Sequence, residues 1–366
     1  MYIHELKDWP NFTWNEKEVL SILSEVRHLQ GKLLGKMESL GFKLQEETTL
    51  KALTQDVLKT SEIEGEKLDY DQVRSSIAKR MGIKIDKPKH TDRNIDGIVE
   101  ILIDATRNYE KPISEKRLFA WHQSLFPSKV KGLQKINIGS WRGKESGDMQ
   151  VVSGPLGREK IHFEAPSYKR IKKEMQQFIK WVNSNTEYDL VIKSAIAHFW
   201  FVTIHPFDDG NGRISRAISD MLLAKSEATH QRFYSMSSQI QIRRNSYYKI
   251  LEKCQKGKLD ITAWIKWYLE CLKDAIKSSD NLSGNILVKA NFWQKNGDVI
   301  INERQRKIMN LLLDGFEGKL TSSKYAKICK VSQDTAIRDI NDLINKKLLI
   351  SSKSGGRSTN YIPAAS

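Results

Sequence analysis

Side chains that could do chemistry are most concentrated in the stretch HPFDDGNGRISR, residues 205–216. It brings an imidazole, two carboxylates, two glycines and two arginines into twelve residues. The stretch follows YDLVIKSAIAHFWFVTI, an almost wholly apolar run that predicts a helix buried on most sides. We therefore expect His205 to lie at the end of a rigid helix that Pro206 terminates.

The glycines after this histidine predict an anion site. Gly210, Asn211 and Gly212 form a predicted turn whose small residues let backbone N–H groups point inward together, and RISRAISDMLLAK predicts the next helix. Backbone N–H groups at a helix N-terminus bind anions. Arg213 and Arg216 lie three residues apart, so they share a helix face and can both hold phosphate oxygens.

Two further side chains complete this chemistry. Asp209 directly precedes the anion site, where a carboxylate would repel phosphate unless a cation lay between them, and magnesium is the natural bridge. His205 has the character of a general base that takes a proton from a hydroxyl as the hydroxyl attacks phosphorus. The segment therefore predicts transfer of a phosphate-bearing group to a hydroxyl.

Most of the remaining chain has the periodicity of amphipathic helices, as in residues 15–60, 95–109, 167–185 and 260–277. Two β-prone runs, Met149–Ser153 and Lys160–Glu164, flank Gly154-Pro155 and Gly157 and predict a hairpin. The polar stretch SSDNLSGN, residues 278–285, interrupts the helical pattern. We expect a domain linker there or slightly later.

The chain beyond this stretch predicts helices over residues 301–320, 322–330 and 334–349, then a glycine turn and a β-prone tail in residues 353–363. This order resembles a winged helix-turn-helix, in which the third helix enters the major groove and the GGR turn is the wing. Residues 301–366 hold 12 Lys and Arg against 6 Asp and Glu, and the net charge of +6 suits a phosphate backbone. Protein contacts or dimerisation are the open alternative.

Composition limits the class of protein. A chain of 366 residues is long enough for about two or three domains. Its three cysteines are odd in number and lack C-x-x-C spacing, which argues against a disulfide framework and a zinc site. The first residues lack the apolar core of a signal peptide, and no run reaches the ~20 apolar residues of a membrane span. We expect a soluble cytoplasmic protein with no membrane contact. Its net charge of +16 alone favours only a basic surface.

Residues 205–216 resemble the signature of Fic-domain proteins, H-x-F-x-[D/E]-G-N-G-R-x-x-R, at every defined position. TSEIEG, residues 60–65, resembles the inhibitory motif of that family, [S/T]-x-x-x-E-[G/N]. The hairpin around VVSGPLG resembles the flap that holds a target segment by strand addition, and GSWR, residues 139–142, resembles the stretch before that flap. The implied fold class is mainly α, a Fic-type helical core with a β-hairpin flap plus a C-terminal winged helix-turn-helix domain. The implied domains are an N-terminal regulatory segment (1–95), the catalytic core (96–280), and a linker with the winged helix (281–366).

The resemblance implies a protein adenylyltransferase, which moves AMP from ATP to a Ser, Thr or Tyr hydroxyl of a target protein docked on the flap. His205 would deprotonate the hydroxyl, and magnesium on Asp209 would bridge the α- and β-phosphates. Asn211 and the amides of Gly210 and Gly212 would hold the phosphates, and Phe207 would pack inward to fix the loop. The adenine pocket would draw on the flap and one helix, through Val152, Tyr247, Tyr248 and Gln255. Ordinary core packing is an equal alternative for the two tyrosines.

The resemblance also implies autoinhibition. Glu64 would reach Arg216, take the place of the γ-phosphate contact and hold ATP in an unproductive pose, while Thr60 or Ser61 would fix its helix. From charge pattern alone, the alternating glutamates at 62, 64 and 66 would be only a solvated acidic stretch.

Other functions stay open at this point. The same site could remove AMP or move a different nucleotide, or the chain could be a DNA-binding regulator whose core senses a ligand. The intact pair of His205 and Asp209 favours the enzyme. His198 and His122 lie in apolar settings without a third metal ligand, so we interpret both as hydrogen-bonded core histidines. Homodimer formation is also open.

Overall fold

The computed structural model describes the chain except for residues 128–135, 155–157, 159, 186, 297, 314–315, 317, 352–358 and 365–366. The chain divides into two compact units, Met1–Ser279 and Asp280–Ser366. The helices are α1 (Glu16–Glu38), α2 (Phe42–Ile63), α3 (Tyr70–Met81), α4 (Arg93–Arg107), α5 (Glu115–Leu125), α6 (Tyr168–Asn183), α7 (Leu190–Ile204), α8 (Asn211–Glu227), α9 (Met236–Ile242), α10 (Arg244–Gln255), α11 (Thr262–Asn296), α12 (Glu303–Leu313), α13 (Ser322–Cys329) and α14 (Gln333–Asn345). The strands are β1 (Gln150–Ser153), β2 (Lys160–Glu164), β3 (Leu349–Ser351) and β4 (Tyr361–Pro363), and short 3-10 turns cover Ile3–Glu5 and Lys144–Ser146.

The apolar periodicity of the sequence gives the observed helices. The predicted helical region at 15–60 forms α1 and α2, and the other three periodic segments form α4, α6 and α11. Polar side chains cap several of them: Asn15 accepts from the N–H groups of Lys17 and Glu18, and Asp189 accepts from that of Val191. The mainly α-helical fold is confirmed.

Helix α7 lies in the core of the first unit. Every residue from Val191 to Ile204 is buried, as the all-apolar sequence predicts. The large side chains of Trp200 and Phe201 pack against Phe178 of α6, with ring centroids 5.4 and 5.6 Å apart. A fully packed helix of this kind is a rigid support, and His205 follows directly at its C-terminal end.

The predicted hairpin is confirmed as an antiparallel pair of β1 and β2. Gln150 pairs with Glu164 and Ser153 with Lys160, but the register shifts between Val151 and Val152. Because Val151 pairs with Phe163 and Val152 with Ile161, the extra residue His162 has no cross-strand partner. Pro155 and Gly157 of the predicted turn lie outside the described residues.

The polar stretch at 278–285 does not form the predicted linker. It is helical, and α11 runs through it from Thr262 to Asn296. The stretch has no proline, and serine, asparagine or glycine costs a helix only about 1 kcal/mol or less per residue relative to alanine, so the flanking helical segments can carry it. The predicted break in the helix was wrong because polarity was interpreted as a break, although the two units do divide within this stretch, between Ser279 and Asp280.

The second unit contains α12, α13 and α14, and β3 pairs with β4 in antiparallel fashion. Ile308, Tyr325 and Ile340 pack in one small core of this unit, and Met309 and Leu343 in another. The three helices and the strand β4 follow the predicted order, whereas β3 was not predicted and begins where the third helix was expected to end. The GGR turn, residues 355–357, lies outside the described residues, and the winged helix stays a prediction.

Candidate active site

The loop after α7 carries the predicted site. The backbone of His205 has a positive φ of 51°, and its N–H closes the helix on the carbonyl of Phe201 at 3.0 Å. Gly210, with a φ of 82°, is the N-cap of α8, and a Cβ there would lie 2.8 Å from the side chain of Leu125. The backbone angle therefore favours glycine at 210, and a larger residue would also have to displace the side chain of Leu125.

Helix α8 begins two residues earlier than predicted. Asn211 and Gly212 are its first residues and not part of a preceding turn, because the carbonyl of Gly210 already accepts from the N–H of Ile214 at 3.0 Å. The N–H groups of Asn211, Gly212 and Arg213 thus have no carbonyl partner within the helix. The predicted anion site is this helix N-terminus itself.

The side chain of Asn211 closes the loop. Its Oδ1 accepts from the N–H of Phe207 at 2.9 Å, and its Nδ2 donates to the carbonyl of Phe207 at 2.8 Å. The residue is only 2% exposed. The side chain of Asn211 is thus bound to the backbone of the loop, and the contact of Asn211 with phosphate stays a prediction.

Phe207 packs inward as predicted, and a missed residue holds it there. Its fully buried ring stacks on the imidazole of His122, with centroids 4.1 Å apart. His122 Nδ1 accepts from the N–H of Gly139 at 3.0 Å, so Nε2 carries the proton that is donated to the carbonyl of Asp209 at 3.2 Å. Burial lowers the pKa of His122 to about 4, so the ring is neutral. The prediction of a hydrogen-bonded core histidine is confirmed, and this histidine also positions the backbone of the loop.

Arg142 is a second positioning residue that sequence reasoning missed. Its Nε donates to the carbonyl of His205 at 2.7 Å, its Nη2 donates to the carbonyl of Pro166, and its N–H donates to the carbonyl of Pro206 at 2.9 Å. Burial lowers its pKa to about 10, which leaves it charged at neutral pH. The resemblance of GSWR to a family stretch marked the segment but did not indicate this contact.

His205 has the tautomer that a general base needs. Its Nδ1 lies 3.2 Å from the carbonyl of Val202, which can only accept, so Nδ1 carries the proton and Nε2 has the lone pair. Burial lowers the pKa of His205 to about 4, and the charge of Arg142 acts in the same direction. The imidazole is therefore neutral at pH 7 and able to accept a proton.

Glu64, directly after α2, contacts Arg216 of α8. Arg216 Nη2 donates to Glu64 Oε1 at 2.7 Å, and the same guanidinium binds Thr60, through Nε to Oγ1 at 2.6 Å and through Nη2 to the carbonyl at 3.1 Å. The side chain of Arg216 is 3% exposed and that of Glu64 31%. Burial raises the pKa of Glu64, but the charge and hydrogen bond of Arg216 outweigh this and hold the pKa below its usual value. Of the two residues predicted to fix this contact, Thr60 binds Arg216, and Ser61 contributes through its carbonyl, which accepts from the N–H of Glu64 at 3.1 Å.

The carboxylate of Glu64 also lies directly over the N-terminus of α8. A Cβ on Gly212 would be 2.3 Å from Glu64 Oε1. Only glycine allows this approach, so Gly212 lets a negatively charged group come close to the backbone of the first helical turn.

Arg213 holds a different carboxylate. Its Nη1 lies 3.1 Å from Glu66 Oε2, and its Nη2 lies 3.8 Å from Asp209 Oδ2. The two arginines predicted to hold phosphate are thus each paired with a glutamate from the segment after α2. Glu66 was not predicted as a site residue, and only its alternation with Glu64 pointed to it.

Asp209 has the character of a single magnesium ligand. Its Oδ1 accepts from the N–H of Gly210 at 2.5 Å. Among the described residues Oδ2 has only the 3.8 Å contact to Arg213, and the side chain is 55% exposed. Magnesium in nucleotide sites takes one or two carboxylates plus substrate phosphates, which this carboxylate fits. The described residues hold no group of three or more His, Cys, Asp or Glu side chains that could form an all-protein metal site.

A cleft of about 650 Å³ brings the remaining predicted residues together. It is lined by Glu64, His205 and Gly212, by the hairpin of β1 and β2, which is the predicted flap, and by α10. The hairpin contributes Val152, and α10 contributes Tyr247, Tyr248 and Gln255. Asp208, which sequence reasoning missed, also lines the cleft, and its carboxylate accepts from the N–H of Asn137 and from Ser146.

The four predicted adenine contacts differ in how they are held. Val152 and Tyr248 are 47% and 37% exposed and offer surface to a ligand. The hydroxyl of Tyr247 is bound to Nε2 of the buried His198 at 2.8 Å, and Gln255 donates to Thr203 at 3.2 Å. Tyr247 therefore packs in the core and lines the cleft as well. His198 is a hydrogen-bonded core histidine, as predicted.

Two segments of the chain match protein families. Residues 112–223 match the Fic/DOC family, and residues 2–83, which include Glu64, match a domain of unknown function (DUF4172). Over 104 residues, the chain is 34% identical to "Protein adenylyltransferase Fic" of Drosophila yakuba and 33% identical to that of Drosophila melanogaster. These matches cover 28% of this chain and 19% and 20% of the relatives, so the chain spans about one fifth of their length.

The fold also occurs in solved structures. A Fic family protein from Desulfovibrio desulfuricans G20 superposes with a TM-score of 0.56 at 20% identity, covering 97% of this chain and 98% of that one. A Fic domain containing signaling protein from Bacteroides thetaiotaomicron VPI-5482 gives a TM-score of 0.51 at 17% identity, covering 72% of this chain and 95% of that one. With the complete signature at 205–216 inside the matched segment, residues 112–223 of this chain are a Fic/DOC family domain on a mainly α-helical, Fic-type core.

Proposed function

We propose that the protein is an adenylyltransferase that moves AMP from ATP to a Ser, Thr or Tyr hydroxyl of a target protein. The observation that carries this proposal is the single cleft in which His205, with its free Nε2, and Gly212, at the N-terminus of α8, face the same space. The names of the Drosophila relatives agree with it. A base, an anion site and a cleft of this size are what nucleotidyl transfer requires.

The chain's own residues account for the main steps. The target hydroxyl gives its proton to Nε2 of His205 while its oxygen attacks the α-phosphorus. The bond between that phosphorus and the oxygen bridging to the β-phosphorus breaks, and pyrophosphate leaves with the electron pair. The free N–H groups at the start of α8 stabilise the phosphate charge, and because they are fixed by the helix they need no rearrangement during the reaction.

Asp209 would hold magnesium, which when bound neutralises charge on the triphosphate. The half-exposed Oδ2 of Asp209 is the ligand on the protein side. His122 supports it indirectly, because its hydrogen bond to the carbonyl of Asp209 fixes the backbone from which this carboxylate projects.

Glu64 would keep the resting enzyme slow. Arg216 cannot serve a carboxylate and a γ-phosphate in the same place, and it is held by Glu64 and Thr60 together. A nucleotide that binds while Glu64 is in place would lose this contact and sit in an unproductive pose. Release of α2 from this position is then the activating event.

Transfer of label from ATP tests the proposal. The protein is incubated with ATP labelled in the α-phosphate, magnesium and a lysate, alongside His205→Ala. We expect labelled bands of lysate proteins with the wild type and none with His205→Ala, which should still bind ATP because the anion site does not use the imidazole. Transfer to lysate proteins that survives in His205→Ala would contradict the role of His205. The absence of any transfer in the wild type and in a parallel incubation of Glu64→Gly would contradict the function.

We further propose that the second unit binds duplex DNA. Its helices occur in the order expected of a helix-turn-helix, its net charge over residues 301–366 is +6, and Ile337 of α14 is 42% exposed. If it binds through phosphates, affinity should fall steeply as salt rises. Binding that is absent or independent of salt would favour a protein-contact role for this unit.

A further inference from the structure

Three side chains in the flap and α10 form a hydrogen-bonded chain that the proposed mechanism does not use. Ser153 Oγ lies 2.6 Å from His162 Nε2, and His162 Nδ1 lies 2.8 Å from Glu252 Oε2. All three residues line the same cleft as His205. A hydroxyl, an imidazole and a carboxylate linked in this order form the arrangement that activates a serine as a nucleophile.

The protons in this chain can be assigned. Hydrogen bonds from Lys256 and His162 hold the pKa of Glu252 below its usual value, so its carboxylate is ionised and only accepts. His162 Nδ1 must then carry a proton, and in the neutral ring Nε2 accepts from the hydroxyl of Ser153. Lys256 Nζ binds the other oxygen of Glu252 at 2.7 Å and fixes this carboxylate.

An irregularity in the flap favours the contact between His162 and Glu252. The shift in register between β1 and β2 leaves His162 as the unpaired residue of a β-bulge, and bulges redirect a side chain from its regular alternation. Anchoring the flap to α10 needs only the bond between His162 and Glu252. The bond to Ser153 adds little to anchoring, because Ser153 is already paired with Lys160 in the hairpin.

We propose that Ser153 is an acceptor of AMP within the chain itself, with His162 as its own general base and Glu252 as the residue that positions His162. This inference rests on the proposed adenylyl transfer and names one substrate of it. The hydroxyl proton of Ser153 passes to His162 Nε2, and Oγ forms a bond to the α-phosphorus of an ATP in the cleft. The bond from that phosphorus to the bridging oxygen breaks, and pyrophosphate leaves with the electron pair. AMP then remains on the flap, where it blocks the cleft that a target would use.

Mapping of the modified residue tests this directly. The full chain and its Glu64→Gly variant are incubated with ATP and magnesium, digested, and searched by mass spectrometry for AMP on each Ser, Thr and Tyr. We expect AMP on Ser153, its loss in Ser153→Ala and its retention in Ser153→Thr, which keeps a hydroxyl. His162→Gln should slow modification at residue 153 on the order of 100-fold, because a general base contributes at least that factor.

Two controls separate the proposal from simpler explanations. Ser167→Ala removes an exposed serine without a side-chain capping bond or a histidine partner and should change nothing. Glu252→Gln keeps the shape of the side chain but lets its amide donate to His162 Nδ1, which would move the ring proton to Nε2. We expect it to slow Ser153 modification strongly while the melting temperature stays near that of the wild type.

The possible results point in different directions. AMP on other residues but never on Ser153, or a rate at Ser153 that His162→Gln leaves unchanged, would overturn this inference and leave adenylyl transfer intact. If neither the chain nor any lysate protein acquires AMP, in the wild type or in Glu64→Gly, the proposed function itself fails.

Discussion

Replacing Glu64 with glycine should raise the rate of adenylyl transfer strongly. The change removes the carboxylate that binds Arg216 Nη2 at 2.7 Å in a place where the guanidinium is 3% exposed. A hydrogen bond to a charged partner contributes about 1.5–3 kcal/mol. If that free energy sets the balance between the locked and the open site, the open fraction, and with it the rate, should rise about 10- to 150-fold.

The substitution should leave the fold intact. Glu64 is the residue after the end of α2, with φ of −85° and ψ of 3°, so glycine does not interrupt a helix there. Glu62→Gly is the matched control, because Glu62 lies within α2 and pairs with Lys59 at 2.6 Å instead of with the site. It should lower stability by about 1 kcal/mol, the cost of glycine in a helix, and leave the rate unchanged.

The assay is the initial rate of label transfer from ATP for the wild type, Glu64→Gly, Glu62→Gly, Arg216→Ala and the double variant of Glu64 and Arg216. Arg216→Ala should stay slow, since the γ-phosphate loses its contact together with the inhibitor. An unchanged rate in a folded Glu64→Gly protein would refute the inhibitory role of this carboxylate. Activation by Arg216→Ala to the level of Glu64→Gly would show that Arg216 does not contact the nucleotide.

Two further predictions concern the support of the site. Asn211→Ala should lower the free energy of unfolding by about 1–3 kcal/mol, because it leaves two backbone groups of the buried Phe207 without their partners. Thermal unfolding measures this change. An unchanged melting temperature together with lost ATP binding would instead support the phosphate role predicted from the sequence. Burial lowers the pKa of His122 to about 4 and of His198 to about 3, so the unfolded chain binds more protons than the folded one below the ordinary histidine pKa of 6.5. The free energy of unfolding should therefore fall as pH drops from about 6.5 towards 4, by about 3 kcal/mol through His122 alone. Denaturant titrations measure this free energy, and a higher value at pH 5 than at pH 7 would contradict the prediction.

The sequence predicted those parts of the protein that depend on local pattern. Helix α7, the hairpin and the position of His205 follow from apolar periodicity, β-prone runs and a complete motif. The contact between Glu64 and Arg216 was predicted only through family resemblance, because the two residues are 152 positions apart and charge pattern alone favoured a solvated stretch.

Parts that depend on tertiary contacts were not predictable in this way. Arg142 binds the carbonyl of His205, which is 63 positions away in the sequence, and His162 binds Glu252, which is 90 positions away. Nothing in the local sequence of either residue indicates its partner. The early start of α8 was missed because glycine is a poor helix former, yet Gly212 lies in the first turn, where tertiary packing outweighs propensity. The helix continues through residues 278–285 because their low helix propensity costs little and the flanking helical segments can carry it.

The proposed inhibition and the proposed catalysis would both use one feature of the backbone. Gly212 lacks the Cβ that would come within 2.3 Å of Glu64 Oε1, so an anionic oxygen can approach the free N–H groups of α8 closely. An oxygen of a phosphate carries the same charge and would be attracted by the same helix N-terminus. A larger residue at 212 would exclude both. Glycine at this position would therefore make the site accessible to substrate and to the chain's own carboxylate alike, and the proposed inhibition by Glu64 would follow from the same geometry that lets the site bind ATP.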